Sequence, residues 1–166
     1  MFSKQTAKNQ KGFTFPEIIV ITGIILMLFG FITLNVINTQ HQTSVNAAAD
    51  IIVADIKNQQ IKAMAGTKET GNDPQAYGIH FGSTSYTLFH GSNYNANDTF
   101  NFVIQLDQNI QFFDVKFPNQ NLVFAKGSGE VEGFIDNQNT LIIRDLDNNN
   151  QKTITVNRYG AVTGVN

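Results

Sequence analysis

Three oxygen-bearing side chains in one short stretch have the spacing of a calcium loop. Asp145, Asp147 and Asn149 stand at positions i, i+2 and i+4, as at the start of an EF-hand loop. Such a loop also needs glycine at its sixth position and glutamate at its twelfth, and this chain has Asn150 and Val156 there. The stretch is therefore an incomplete metal candidate, and a polar hairpin turn is the alternative interpretation.

The residue types that usually perform catalysis show no recognisable arrangement. The chain has no cysteine, which excludes disulfides, thiolate metal sites and a cysteine nucleophile. His41, His80 and His90 lack the spacing of metal ligands. Hydrolase, zinc-protease, phosphate-loop and dinucleotide-binding motifs are absent from the sequence. We therefore predict that the protein is not an enzyme and needs no cofactor.

The most informative carboxylate is that of Glu17, which ends the segment KGFTFPE at residues 11–17. It stands alone at the edge of an otherwise uncharged apolar block. A charged side chain in the middle of a membrane costs roughly 2.5–3.5 kcal/mol on insertion scales, so a charge in such a block usually has a partner. The alternative is that Glu17 only complements the positive end of a helix dipole.

The block that follows this carboxylate has the length of a membrane span. Residues 18–34 are nearly all apolar and contain no charge. The stretch from Phe13 to Val36 gives about 24 residues, or about 36 Å of helix, against a hydrocarbon core of about 30 Å. We therefore assign residues 13–37 to the transmembrane half of an N-terminal helix.

Charge is distributed asymmetrically around this block. Lys4, Lys8 and Lys11 precede it, and the next cation is Lys57. The positive-inside rule then predicts a single-pass inner (cytoplasmic) membrane protein with a cytoplasmic N-terminus and the remainder outside. Beyond the first twelve residues, eight Lys and Arg stand against 13 Asp and Glu. This acidic balance makes nucleic acid an unexpected partner.

Beyond the block, the helical pattern continues, but the apolar residues are confined to one face of the helix. Residues 38–65 contain neither proline nor glycine, and Gly66 is a stop signal. Apolar residues recur at helical steps along one stripe: Val45, Ala48, Ile52, Ile56 and Ala63. We predict that this amphipathic half of the helix packs its stripe against a globular head.

Residues 66–166 show a two-residue period, with short β-type runs separated by turn-forming residues. The runs are 76–81, 86–90, 100–106, 110–117, 122–124, 131–135, 140–144, 153–156 and 161–165. Short strands at spacings near ten predict a two-sheet or highly twisted β head. The predicted fold class is α+β, with a long N-terminal helix, transmembrane plus amphipathic, packed on a small antiparallel β-rich head.

The segment KGFTFPEIIV and the apolar block resemble the N-terminal signal of type IV prepilins and type II secretion pseudopilins. The resemblance implies that residues 1–12 are a prepilin leader, which a prepilin peptidase removes between Gly12 and Phe13. It implies N-methylation of Phe13, and a role for Glu17 in pairing with the terminal amine of a neighbouring subunit during assembly. The implied partners are other pilins or pseudopilins in an extracytoplasmic filament, the peptidase and an inner-membrane assembly platform.

The head narrows the resemblance to minor pilins of the GspH/FimT type. The similar segments are YGIHF at 77–81, YTLF at 86–89, LVF at 122–124 and TITVN at 153–157. The implied function is that of a minor structural subunit of a type IV pilus or type II secretion pseudopilus.

Two alternatives remain open at this point. The apolar block could belong to an ordinary secretory signal peptide, with a small-residue cleavage site at residues 47–49. The protein could also be a DNA-binding competence minor pilin, since some relatives of that type bind DNA through C-terminal basic residues. The C-terminal strands here offer only Arg144, Lys152 and Arg158, and phosphate binding needs more cations than these.

Overall fold

The computed structural model describes residues 14–67 and 75–166, with the side chains of residues 30–43 not among those described. The chain divides into two compact units, residues 1–39 and residues 40–166. The described part consists of helical segments followed by eight β-strands.

Helix α1 is assigned to Phe15–Ala65. At its start the Thr14 carbonyl accepts hydrogen bonds from the amides of Glu17 (3.1 Å) and Ile18 (3.2 Å). At its end Gly66 adopts a positive φ of 62°, which lets the chain leave the helix without a steric penalty from a Cβ atom. Glycine therefore ends the helix where the sequence placed its stop signal.

The predicted architecture of one long transmembrane-plus-amphipathic helix on a small head is wrong. The side chains of α1 are described over two stretches, residues 15–29 and residues 44–65, and neither stretch is a long apolar helix. The two stretches fall in different compact units, divided between residues 39 and 40. The β part forms two antiparallel sheets of four strands each.

The predicted transmembrane helix and inner-membrane location are likewise contradicted. Among the described residues, no helix combines the length and the apolar character that crossing a membrane requires.

The strands of the second unit form two antiparallel sheets. Their bounds are β1 Tyr77–Phe81, β2 Ser85–His90, β3 Phe102–Gln105, β4 Ile110–Val115, β5 Asn121–Phe124, β6 Thr140–Asp145, β7 Gln151–Val156 and β8 Val162–Val165. The first sheet has the order β3-β2-β1-β5 and the second has the order β4-β6-β7-β8. A short 3₁₀ turn at Pro118–Gln120 leads into β5.

One predicted strand, at residues 131–135, is a loop in the structure. Val131 forms an isolated bridge to Phe124, and the chain turns away directly afterwards. Gly129 and Gly133 flank the bridge with positive φ values of 71° and 63°. Extended strands need negative φ, so alternating apolar residues at 131 and 135 do not continue a ladder across these two glycines.

The core lies where the helical stretch 44–65 meets both sheets. The helix contributes a buried stripe of five apolar residues: Val45, Ala49, Ile52, Ile56 and Ala63. The first sheet contributes Ile79, Phe81 and Leu122, and the second contributes Leu141, Ile143 and Ile154, all in one cluster. Ala48, predicted on the stripe, is only partly buried, and Ala49 takes the central position instead.

A polar contact joins the helix to the first sheet inside this core. The Tyr86 hydroxyl donates a hydrogen bond to Asp55 Oδ2 at 2.6 Å. Burial raises the pKa of Tyr86 above its usual value, and the hydrogen bond and negative charge of Asp55 act in the same direction. The tyrosine therefore stays a donor to the carboxylate.

A second polar contact joins the helix to two tight turns. Gln60 Nε2 donates to the carbonyl oxygens of Gly129 (3.0 Å) and Tyr159 (2.7 Å). Gly160, which follows Tyr159, is buried with a φ of 77°. A Cβ atom on Gly160 would overlap Gln60 Nε2 and lie 2.7 Å from the carbonyl oxygen of Gly129. The absence of a side chain at Gly160 thus permits both hydrogen bonds.

We predict that Gly160→Ala lowers the free energy of unfolding by about 3–4 kcal/mol. Positive φ alone costs an alanine about 1–2 kcal/mol, and each of the two displaced Gln60 hydrogen bonds adds about 1 kcal/mol. Gly133→Ala is the matched control, because Gly133 has a φ of 63° but no atom near its added Cβ. Urea unfolding followed by circular dichroism checks the difference. Equal destabilisation by the two substitutions would contradict the role given to Gln60.

Candidate assembly surface

The first turn of α1 contains a carboxylate held at the helix N-terminus. Thr14 precedes the helix and its backbone N–H donates to Glu17 Oε2 at 3.4 Å. Thr at the N-cap and Glu three residues later are the two positions of a capping box. Pro16 fits the same turn, since the N–H that proline lacks has no intrahelical partner there. The sequence pattern Thr14-x-x-Glu17 before an apolar run was the signal for this cap, and our sequence interpretation did not use it.

Residues 15–29 expose large apolar side chains around the whole circumference of the helix. Phe15 is 78% exposed. Ten more are between 42% and 67% exposed: Ile18, Ile19, Val20, Ile21, Ile24, Ile25, Leu26, Met27, Leu28 and Phe29. A surface helix normally shows such residues on one face only, and helices that are apolar all round are normally covered by other structure. This stretch therefore presents a large contiguous apolar surface of the kind that marks interaction sites.

The polar groups within this stretch are few and are satisfied locally. The Thr22 hydroxyl donates to the carbonyl oxygen of Ile18 at 2.7 Å, so it can enter an apolar environment with its hydrogen bond made. Glu17 is the one charged side chain among residues 14–29, and it is exposed. Any partner that covers this surface will therefore meet one unneutralised carboxylate, at the N-terminal end.

The predicted processing residues precede this turn in the sequence and are outside the described residues. Gly12 and Phe13, predicted for cleavage and N-methylation, and the leader at residues 1–12 precede Thr14, where the description begins. Their roles stay predictions from the sequence. Glu17 is the one predicted assembly residue whose surroundings are described.

The calcium candidate forms a hairpin turn between β6 and β7. Asp145 is fully buried at the end of β6, and its Oδ1 accepts the Asp147 N–H at 2.8 Å. Asp147 Oδ2 accepts from Asn109 Nδ2 at 2.6 Å. Asn149 turns the chain with a φ of 58°, and its N–H donates to the Asp145 carbonyl. Among the described residues, no three His, Cys, Asp or Glu side chains are grouped as metal ligands.

The described histidines occupy separate environments. His80 Nδ1 lies 2.7 Å from Asn121 Oδ1, and the imidazole stacks on Tyr94 with ring centres 4.0 Å apart. His90 Nε2 lies 3.8 Å from Asp98 Oδ2. His41 is among the residues whose side chains are not described. The histidines at 80 and 90 are thus held by different neighbours and share no site.

The C-terminal basic residues, which the sequence analysis judged too few for DNA binding, do not share one face. Arg144 packs its guanidinium on the Phe113 ring at 3.2 Å and donates to Gln151 Oε1. Lys152 pairs in register with Ile143, the residue before Arg144. Because successive residues of a strand point to opposite faces, Lys152 and Arg144 project from opposite sides of the second sheet. Arg158 follows β7 and lies over the Phe134 ring.

No protein-family model matches this chain, and no curated protein and no solved structure shows significant similarity to it. The resemblance of its N-terminal segment to prepilins therefore remains a sequence prediction.

Proposed function

We propose that this protein is a non-enzymatic structural subunit of a pilus or secretion pseudopilus, of the minor pilin type. The observation that carries the proposal is the exposed apolar surface of residues 15–29, with a single carboxylate in its first turn. In this proposal, equivalent helical stretches of neighbouring subunits cover that surface. The apolar contacts provide the driving force, at about 25 cal/mol for each Å² removed from water.

Glu17 has a defined part in this assembly. Covering residues 15–29 removes water from the carboxylate, and a buried charge is costly unless an opposite charge accompanies it. A terminal amine at Phe13, created by removal of residues 1–12, supplies that positive charge in the proposal. Pairing of Glu17 in one subunit with the amine of the next also sets the register between subunits.

The first test concerns the cut that creates this amine. When the chain is produced together with a prepilin peptidase, we predict that the mature protein begins at Phe13. Gly12→Ala should be tolerated because it adds one methyl group, whereas the branched side chain of Gly12→Val should block cleavage. N-terminal sequencing by mass spectrometry checks both. A mature N-terminus beyond residue 49 would instead support removal of a secretory signal peptide.

The second test separates charge pairing from helix capping at Glu17. Glu17→Gln keeps a side chain that suits the third position of a capping box but removes the charge. We predict that Glu17→Gln and Glu17→Ala both reduce recovery in sheared filaments by more than tenfold, in cells lacking the native copy. A buried amine without its counter-charge costs about 3–5 kcal/mol, and about 1.4 kcal/mol already corresponds to a tenfold change in equilibrium.

Three controls define the result of the Glu17 experiment. Cleavage before Phe13 should proceed normally in both variants, which shows that they reach the peptidase. Thr14→Ala removes the N-cap hydroxyl and leaves the charge, so it should assemble nearly as well as the wild type. If Glu17→Gln is recovered in filaments like the wild type while Thr14→Ala is not, the carboxylate acts only as a helix cap.

A further inference from the structure

A cleft lined by both polar and apolar side chains opens on the head, and no residue of α1 lines it. It has a volume of about 230 Å³ and lies between the turn at Pro118–Gln120 and the loop of residues 131–138. Val123 of β5 and Val156 of β7 are buried at its floor. The lining of the cleft thus includes residues of both sheets. Neither Glu17 nor any other residue of the stretch 15–29 lines it.

The walls of this cleft carry amide side chains in unusual number. Asn93, Asn119, Asn121 and Gln138 line it together with the carboxylate of Glu132. Each amide offers both a donor and an acceptor, and the carboxylate offers acceptors only. No Lys or Arg belongs to the lining residues. The wall therefore suits a neutral ligand with many hydroxyl groups, because each hydroxyl also donates and accepts.

The amide of Asn121 is oriented by residues outside the cleft. Its Oδ1 lies 2.7 Å from His80 Nδ1, and His80 is itself fixed by its stacking on Tyr94. Because Asn121 Oδ1 is engaged in this way, Asn121 Nδ2 is the group of this side chain that would donate to a ligand. On another wall, Ser92 Oγ donates to Glu132 Oε1 at 3.4 Å. Side chains held by such neighbours lose less freedom when a ligand binds.

The backbone at the rim adopts a costly conformation. Asn119 and Gln120 are consecutive residues with positive φ, at 52° and 58°. Non-glycine residues in this region cost about 1–2 kcal/mol each, and such strain concentrates at ligand-binding sites. The conformation leaves the Asn119 side chain exposed at the cleft. Asn137, beside Gln138 on the facing loop, also has a positive φ, at 66°.

An aromatic side chain lines the cleft beside the amides and the carboxylate. Phe134 lines the cleft and is partly buried, so part of its surface is accessible. Sugar rings combine hydroxyl edges with apolar C–H faces, and an aromatic ring beside amides matches both. The volume is below the roughly 300–1,000 Å³ of typical drug-sized sites, which fits one sugar ring better than a long oligosaccharide.

We propose that this cleft binds a neutral sugar residue, such as the terminal unit of a glycan. The amides of Asn119, Asn121 and Gln138 contact its hydroxyl groups, Glu132 accepts from a further hydroxyl, and Phe134 contacts its C–H face. The proposal does not depend on filament assembly, because it uses no residue of α1. Arg158 lies over the Phe134 ring but is not among the residues that line the cleft, so we expect neutral sugars to be preferred over sialylated, sulfated or phosphorylated ones.

Saturation-transfer NMR on the full chain tests this proposal. The probes are the methyl glycosides of glucose, galactose, mannose, fucose, N-acetylglucosamine and N-acetylgalactosamine, with sialic acid and galactose 6-sulfate as charged probes. We expect at least one neutral glycoside to bind. Asn119→Gly removes the amide while suiting the positive φ, and Gln138→Ala removes a second amide. Each should weaken that binding by about tenfold or more.

Asn97→Ala, at an exposed asparagine outside the cleft, is the matched control and should bind like the wild type. Thermal unfolding checks that all three variants fold. Binding of a neutral glycoside that is lost in both cleft variants and kept in the control supports the proposal. Absence of binding by every neutral probe, a preference for the charged probes, or equal binding by all variants overturns it.

Discussion

Burial of one helical stripe between two sheets is the constraint on which the head depends. Ile52 and Ile56 are fully buried, and their cluster contains residues of both sheets, with Ile79 in the first and Ile154 in the second. Each sheet has four strands and needs an apolar face covered. The stretch 44–65 supplies that cover, and the contacts of Asp55 with Tyr86 and of Gln60 with the turns at 129 and 159 fix its position.

The two described stretches of α1 differ in how their apolar residues are used. In 44–65 the apolar side chains form a stripe that the sheets cover, whereas in 15–29 they surround the helix and are exposed. The first pattern is satisfied within one chain. In our proposal the second is satisfied by other molecules, and Glu17 adds a charge that a partner neutralises. This difference is why we assign folding to the first stretch and assembly to the second.

The sequence predicted local features better than those formed by distant segments. Steps of three, four and seven residues identified Val45, Ile52, Ile56 and Ala63 on the buried stripe. Ala49 rather than Ala48 is buried because the steps from 45 to 49, 52 and 56 keep one face of the helix turned to the sheets.

The strand predicted at 131–135 was wrong because alternation alone does not reveal the positive φ of Gly133. The transmembrane prediction relied on the length of the apolar block, on its lack of charge and on the resemblance to prepilins. The cleft could not be predicted, since residues 93, 119–121 and 132–138 meet only in the folded chain.

The central claim, that partner subunits cover residues 15–29, is tested most directly by the reactivity of a single thiol in that stretch. The chain has no cysteine, so Ile24→Cys introduces a unique probe at an exposed position, and Asn97→Cys provides one on the head. The measurement compares maleimide labelling rates in sheared filaments and in detergent-dissociated subunits. The account predicts that the thiol at position 24 reacts at least tenfold more slowly in filaments, while the thiol at position 97 remains reactive. Equal labelling of Ile24→Cys in the two states would contradict it.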